Sequence, residues 1–162
     1  MSLPICEVCA KTGLLCRMCE KNLQEGKISE IDVELSKILF EMDFEDIGFE
    51  RSIETESSII VLVSNEKVGK LIGRDGTNIK NISKRLGKPV RIIGTGNFDE
   101  MVVSLAAPAK VVEINRVLRS DGTTLRRIRL READKSRLRM GYDDLKRVIT
   151  SLSEHPVDIV FN

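Results

Sequence analysis

The chain has 162 residues, 41% hydrophobic and 31% charged, with 26 Lys and Arg against 25 Asp and Glu and a formal net charge of +1. That composition belongs to a globular protein of one or two small domains and excludes disordered and fibrous classes. No apolar run approaches the ~20 residues a membrane-spanning helix needs, and the N-terminus shows no signal-peptide pattern, so we expect a soluble, cytoplasmic protein with no membrane partner.

All four cysteines fall in the first 19 residues, as Cys6-x-x-Cys9 and Cys16-x-x-Cys19. Two such pairs supply the four thiolates of a closed, tetrahedral, structural Zn²⁺ site, with Gly13 available for the turn between them. The six residues separating the pairs are fewer than in ordinary zinc ribbons, so residues 1–25 are expected to form a compact zinc knuckle. An iron–sulfur cluster would use the same thiolates, whereas disulfides are disfavoured inside the cell. The only histidine, His155, is remote from the cysteines and reads as a loop residue before Pro156.

Ser29, followed by Ile31, Val33, Leu35, Ile38, Leu39 and Met42, predicts an N-capped amphipathic helix. Residues 48–53 and 58–64 read as two strands of a hairpin that turns near residues 54–56. Next come two short helical stretches joined by Gly73-Arg74-Asp75-Gly76, with Leu71 and Ile72 before the loop and Ile79 and Ile82 after it, and then a strand over residues 89–93. Glycines let backbone N–H groups approach a sugar-phosphate chain closely, and the second opens a helix whose N-terminal dipole favours anions. Charge is concentrated to match: residues 65–95 hold 8 basic and 2 acidic side chains, whereas residues 20–57 hold 4 basic and 12 acidic. The candidate nucleic-acid contacts are therefore Lys67, Lys70, Leu71, Ile72, Gly73, Arg74, Asp75, Gly76, Lys80 and Lys84. Ile79 and Ile82 are expected in the core, and Leu71 and Ile72 along a groove.

From Gly96 the plan repeats. Residues 98–107 predict a helix, and residues 110–117 and 123–130 flank the hairpin signal Asp121-Gly122. Two short helical stretches and a strand over 156–161 follow. Ile79, Ile82 and Leu86 align with Leu145, Val148 and Leu152 at a constant offset of 66, and Pro89-Val90 falls beside Pro156-Val157 with a one-residue slip. Repetition of a whole supersecondary unit indicates a tandem. In this register the second loop is Arg139-Met140-Gly141-Tyr142, which lacks both glycines of the first. Arg127, Arg129 and Arg131 alternate onto one strand face, either as an accessory phosphate track or as a solvated surface.

Strand, helix, G-x-x-G, helix and strand in this order resemble a KH domain, a module that clamps about four nucleotides of single-stranded nucleic acid on that loop; the resemblance places its groove on Val68, Leu71, Ile72 and Ile79. A preceding helix and hairpin correspond to the type II, prokaryotic arrangement. The tandem, with Ala106-Ala107-Pro108-Ala109-Lys110-Val111 at its junction, is similar to the KH pair of NusA transcription factors and to small archaeal NusA-like proteins. The resemblance implies an α+β fold of two tandem type II KH domains, over residues 26–95 and 96–162, behind the zinc knuckle. It further implies single-stranded RNA binding in transcription elongation, transcription termination or RNA processing, with RNA polymerase as a possible protein partner, and no catalytic activity. The sequence itself offers no Ser-His-Asp set and no P-loop. An alternative function is a protein-interaction adaptor docking on RNA polymerase or a ribosome-associated complex.

Overall fold

The computed structural model describes residues 3–162, and the chain divides into two compact units, the first ending at Thr95 and the second beginning at Gly96. The first contains α1 (Glu7–Thr12), α2 (Arg17–Gln24), α3 (Glu30–Glu41), β1 (Arg51–Glu54), β2 (Ile59–Ser64), α4 (Val68–Ile72), α5 (Thr77–Leu86) and β3 (Val90–Thr95), with 3-10 turns at Asn65–Lys67 and Arg74–Gly76. Its sheet has the order β1-β2-β3, with β1 antiparallel and β3 parallel to the central strand. The aliphatic run Ile59-Ile60-Val61-Leu62-Val63, β-branched except at Leu62, takes the central position because it can be buried on both faces, and all five residues are.

Helix α3 is fixed to the sheet by its own cap. Ser29 Oγ accepts from the Asp32 N–H at 3.1 Å and Asp32 accepts from the Ser29 N–H at 3.0 Å, a reciprocal capping box. The buried Asp32 carboxylate also accepts from Ser52 N–H at 2.7 Å and Ser52 Oγ at 2.6 Å, tying the start of α3 to β1. From there Leu35, Ile38 and Leu39 point into a core shared with Ile59, Val61, Val63, Leu71 and Ile82. Leu3, Ile5, Cys9, Ala10 and Cys19 belong to the same core. The cysteine segment, expected as a knuckle, thus consists of two helices whose inner residues pack with α3.

The second unit contains α6 (Phe98–Ala106), β4 (Val111–Leu118), β5 (Thr124–Leu130), α7 (Tyr142–Leu152) and β6 (Val157–Phe161). Its sheet runs β4-β5-β6, antiparallel then parallel, the same plan as in the first unit. Asn97 caps α6 by accepting from the N–H groups of Asp99 and Glu100 at 2.8 and 3.3 Å. Between β5 and α7 there is a single 3-10 segment, Glu132–Arg137, where the first unit has α4. Asp134 explains its shape: buried, it accepts from Lys110 N–H at 3.0 Å and pairs with Arg131 and Arg137 at 3.2 and 3.6 Å, which holds the segment close to the sheet.

These two aspartates give opposite tests. Asp32→Ala should destabilise the first unit by about 3 kcal/mol, because Ser52 keeps buried donors without an acceptor, and Ser52→Ala by about 1 kcal/mol. Urea denaturation that finds the two equal would contradict the anchoring role of Asp32. Asp134 is held below the usual carboxylate range, first by the Lys110 N–H and then by Arg131 and Arg137 working against burial. A depressed folded pKa contributes stability that is complete above the unfolded value of ~3.9 and is lost as pH falls through the folded one. Asp134→Asn should therefore lower stability at neutral pH and flatten its decline below about pH 4; a variant with an unchanged acid limb in pH-dependent denaturation refutes this.

Candidate nucleic-acid interface and metal centre

The loop between α4 and α5 reverses the chain through unusual backbone angles. Gly73 has φ 76° and ψ 172°, Asp75 φ 56° and Gly76 φ 74°. Gly73 must be glycine for a second reason as well: a Cβ there would lie 2.6 Å from Asn78 Cγ and Nδ2. That asparagine donates to the Lys70 carbonyl at 3.0 Å, and Thr77 Oγ1 donates to the Arg74 carbonyl at 2.6 Å. The last turn of α4 and the first of α5 are thereby cross-braced, leaving Arg74 and Asp75 exposed at the tip.

Beside the loop runs an open groove of about 600 Å³, lined by Ile79, Lys80, Ser83 and Lys84 of α5 and by Gly87, Lys88, Pro89 and Val90. Ser83 Oγ accepts from the Val90 N–H at 3.1 Å, closing the helix against the start of β3. The structure reverses one expectation here. Leu71, expected along the groove, is 1% exposed and lies in the core, because the inward stripe of α4 is Val68 and Leu71. Ile79, read as core from its spacing and as groove from the resemblance, is half-buried, packs against the core and forms part of the groove wall. Ile72 is half-buried and Ile82 is fully in the core.

The basic residues sort into engaged and free. Arg85 pairs with Glu41, Lys88 pairs with Glu54 and donates to the Thr55 carbonyl, both at 3.0 Å, and Lys67 donates to the Asp46 carbonyl at 3.3 Å. Lys70, Arg74, Lys80 and Lys84 are exposed and form no ion pair among the described residues. In the second unit the arginine face is neutralised in place: Arg127 pairs with Asp158 at 3.4 Å, Arg129 with Glu113 and Arg131 with Asp134. Arg126 stacks 4.7 Å from the Phe98 ring centre and lies 3.7 Å from Asp99. Strand register supplies the reason, since Glu113 on β4 and Asp158 on β6 stand directly opposite Arg129 and Arg127. Residues 139–142 contain no positive φ, Gly141 has φ −64° and Met140 is buried, so no second clamp is formed.

The four cysteine Sγ atoms lie within 4.8 Å of one another. A Zn²⁺ with Zn–S bonds of about 2.3 Å sets thiolates roughly 3.8 Å apart, so the cluster needs only slight contraction. Cys6 and Cys16 are the N-cap residues of α1 and α2, and Cys9 and Cys19 lie one turn in. The two halves then exchange hydrogen bonds: Cys6 N–H donates to Cys19 Sγ at 3.4 Å and Cys16 N–H to Cys9 Sγ at 3.0 Å. Without a cation, burial pushes the Cys9 thiol up to about 12 and raises Cys19, whereas the Cys19 N–H helps bring Cys16 down to about 7. Holding all four as thiolates in this half-buried position requires a bound cation. The donor set fits a closed structural site with no open coordination position.

Residues 17–95 match the family model of the NusA-like first KH domain. The first unit resembles a NusA-like KH domain from α2 to β3. Helix α1, with Cys6 and Cys9, precedes the matched stretch, and the second unit follows it. Among solved structures the chain is similar to the crystal structure of APE1850, with 26% identity and a TM-score of 0.53 over 72% of this chain and 88% of that one. That is a longer stretch than the 95 residues of the first unit could supply. A search of curated proteins gives no match.

Purified protein should contain about one zinc per chain, and chelation should lower the unfolding temperature of the KH-like unit as a whole, because Cys9 and Cys19 belong to its core. Cys9→Ser should be more damaging than Cys16→Ser, whose side chain lies at the surface. Elemental analysis with calorimetry checks both; iron in place of zinc, or unfolding insensitive to chelation, overturns the assignment.

Proposed function

We propose that the chain is a non-catalytic, single-stranded RNA-binding protein. Residues 73–76 clamp the sugar-phosphate backbone, and the adjoining groove receives bases. The observation that carries this reading is the set of four exposed, unpaired cations, Lys70, Arg74, Lys80 and Lys84, around a braced loop of positive φ. Lys80 and Lys84 are one helical turn apart, about 6 Å along α5, and flank the groove. The groove wall is aliphatic and contains no aromatic ring, so bases are recognised by their edges and by van der Waals contact rather than by stacking. Similarity to the NusA-like first KH domain supports a role in transcription elongation, termination or RNA processing, with nascent RNA as the ligand and RNA polymerase as the partner, in the cytoplasm. Zinc in the cysteine site serves the fold.

Binding to short single-stranded RNA should weaken with salt at a slope of about −0.7 per phosphate contact, roughly −2 to −3 for these four cations. Arg74→Asp should lower affinity by about tenfold or more without unfolding the protein, since the side chain is exposed and the new charge repels phosphate. Lys80→Ala should reduce the slope by somewhat under one unit for all RNA sequences alike, while Ile79→Asn should blur sequence preference and leave the slope unchanged. Salt-independent binding in fluorescence anisotropy, or an Arg74→Asp variant that binds like the wild type, would refute the proposal.

A further inference from the structure

The second unit has a groove of about 470 Å³ bordered by Arg119, Leu125, Lys146, Thr150, Pro156 and Val157. It occupies the place of the first unit's groove: at the offset of 66, Lys146 and Thr150 stand for Lys80 and Lys84, and after the one-residue slip Pro156-Val157 stands for Pro89-Val90. We propose that this groove is a docking site for an extended acidic peptide segment of a partner protein.

The features that suit the first groove to nucleic acid are missing from the second. Its loop has no positive φ, and the first turn of α7 carries Asp143 and Asp144 at the positions of Thr77 and Asn78. Asp144 is paired with Arg147 at 3.2 Å, which leaves Asp143 to repel a phosphate from the place where the first unit would grip one. One of the two groove lysines has become a threonine. What remains suits side-chain carboxylates. Lys146 forms no ion pair among the described residues, and Arg119 forms none either, although after the Thr123 Oγ1 and N–H, at 2.6 and 2.9 Å, its charge helps hold the nearby Asp121 below the usual carboxylate range. Asp158, at the groove's edge, is already paired with Arg127.

Apolar anchoring is available beside these cations. Pro156 is exposed at the groove's rim, and Leu125 and Val157 line it. Strand β6 lies at the edge of its sheet. The Pro156 carbonyl accepts from Arg126 N–H on β5, and by the alternation of a parallel ladder Val157 turns its own backbone groups outward. At the next outward residue the Ile159 carbonyl already accepts from Tyr142 Oη at 3.3 Å, so the open part of the edge lies at Val157. That short edge, beside Lys146 and Arg119, matches an extended segment alternating acidic and aliphatic residues. This inference does not depend on RNA binding by the first unit.

The test uses the full-length, isotope-labelled protein and follows backbone amides by NMR. It is titrated with a synthetic peptide alternating Leu and Asp, with its Leu/Lys counterpart and with a mixed-sequence single-stranded RNA. The acidic peptide should shift the amides of Arg119, Lys146, Thr150 and Val157, and the basic peptide should not. Lys146→Glu and Arg119→Glu should each weaken the acidic peptide by about tenfold, whereas Lys84→Glu should leave it unchanged. The proposal is overturned if the acidic peptide shifts no amide of this groove or is unaffected by Lys146→Glu. It is equally overturned if RNA shifts these amides and Lys146→Glu weakens RNA, which makes the groove a second nucleic-acid site. RNA that perturbs neither unit refutes the RNA-binding reading and leaves the peptide result to be judged alone.

Discussion

The parallel pairing of β2 with β3 governs the first unit. Parallel neighbours cannot be joined by a hairpin, so residues 65–89 must leave one end of the sheet and return to the other across its face. The chain does this with two helices rather than one, and the reversal between them is the loop at Gly73–Gly76. Gly94 permits the crossover to start tightly: a Cβ there would lie 1.9 Å from Asn65 Oδ1 and 3.2 Å from Val68 Cγ2. The groove follows from the same constraint, because α5 descends beside the edge strand β3, where Ser83 fastens it to Val90. In the second unit the parallel pair β5–β6 imposes the same crossover on residues 131–156. A 3-10 segment fulfils it without a positive-φ loop, so a groove is retained and a clamp is not.

The cysteine site adds a second constraint that the sheet does not require. Helix α2 belongs to the stretch that resembles the NusA-like KH domain, whereas α1 lies before it. Each helix contributes one cysteine at its N-cap and one a turn later, and each N-cap N–H reaches the inner cysteine of the other helix. Neither half is complete without its counterpart. A metal bound there fastens an added helix to an existing one at a point that is also part of the core, which couples metal binding to the stability of the unit.

Much of this was legible in the sequence where the signal is local. Ser29 announces an N-cap, Asp121-Gly122 announces a turn, and the glycines at 73 and 76 announce a backbone that other residues adopt with strain. The internal repeat marks out a helix and three strands in the second unit, where α6, β4, β5 and β6 lie. What was not legible depends on phase or on partners distant in sequence. Helix α4 has only five residues, too few turns for periodicity to decide whether Leu71 or Ile72 faces inward, so Leu71 was misplaced. Residues 132–137 have the composition of an α-helix, and only the burial of Asp134 against Lys110, far along the chain, shows why they form a tighter one. The arginines of β5 look like a phosphate track until register places Glu113 and Asp158 opposite them.

That register bears on how a chain of net charge +1 can present a positive surface at all. With a Debye length of about 8 Å at physiological ionic strength, a polyanion senses nearby charges and not the molecular total. Carboxylates consume the cations away from the loop: Glu41 and Glu54, from the acidic segment, take Arg85 and Lys88, and acids on β4 and β6 take the arginines of β5. Lys70, Arg74, Lys80 and Lys84 form no ion pair among the described residues, and Asp75 is the one carboxylate of the loop itself, so most of their field is not cancelled locally. The acidic segment at residues 20–57 therefore has a physical part in the site although none of it borders the groove. By neutralising the far end of α5 and leaving Lys80 and Lys84 unpaired, it confines the positive potential to the face where the loop and groove meet.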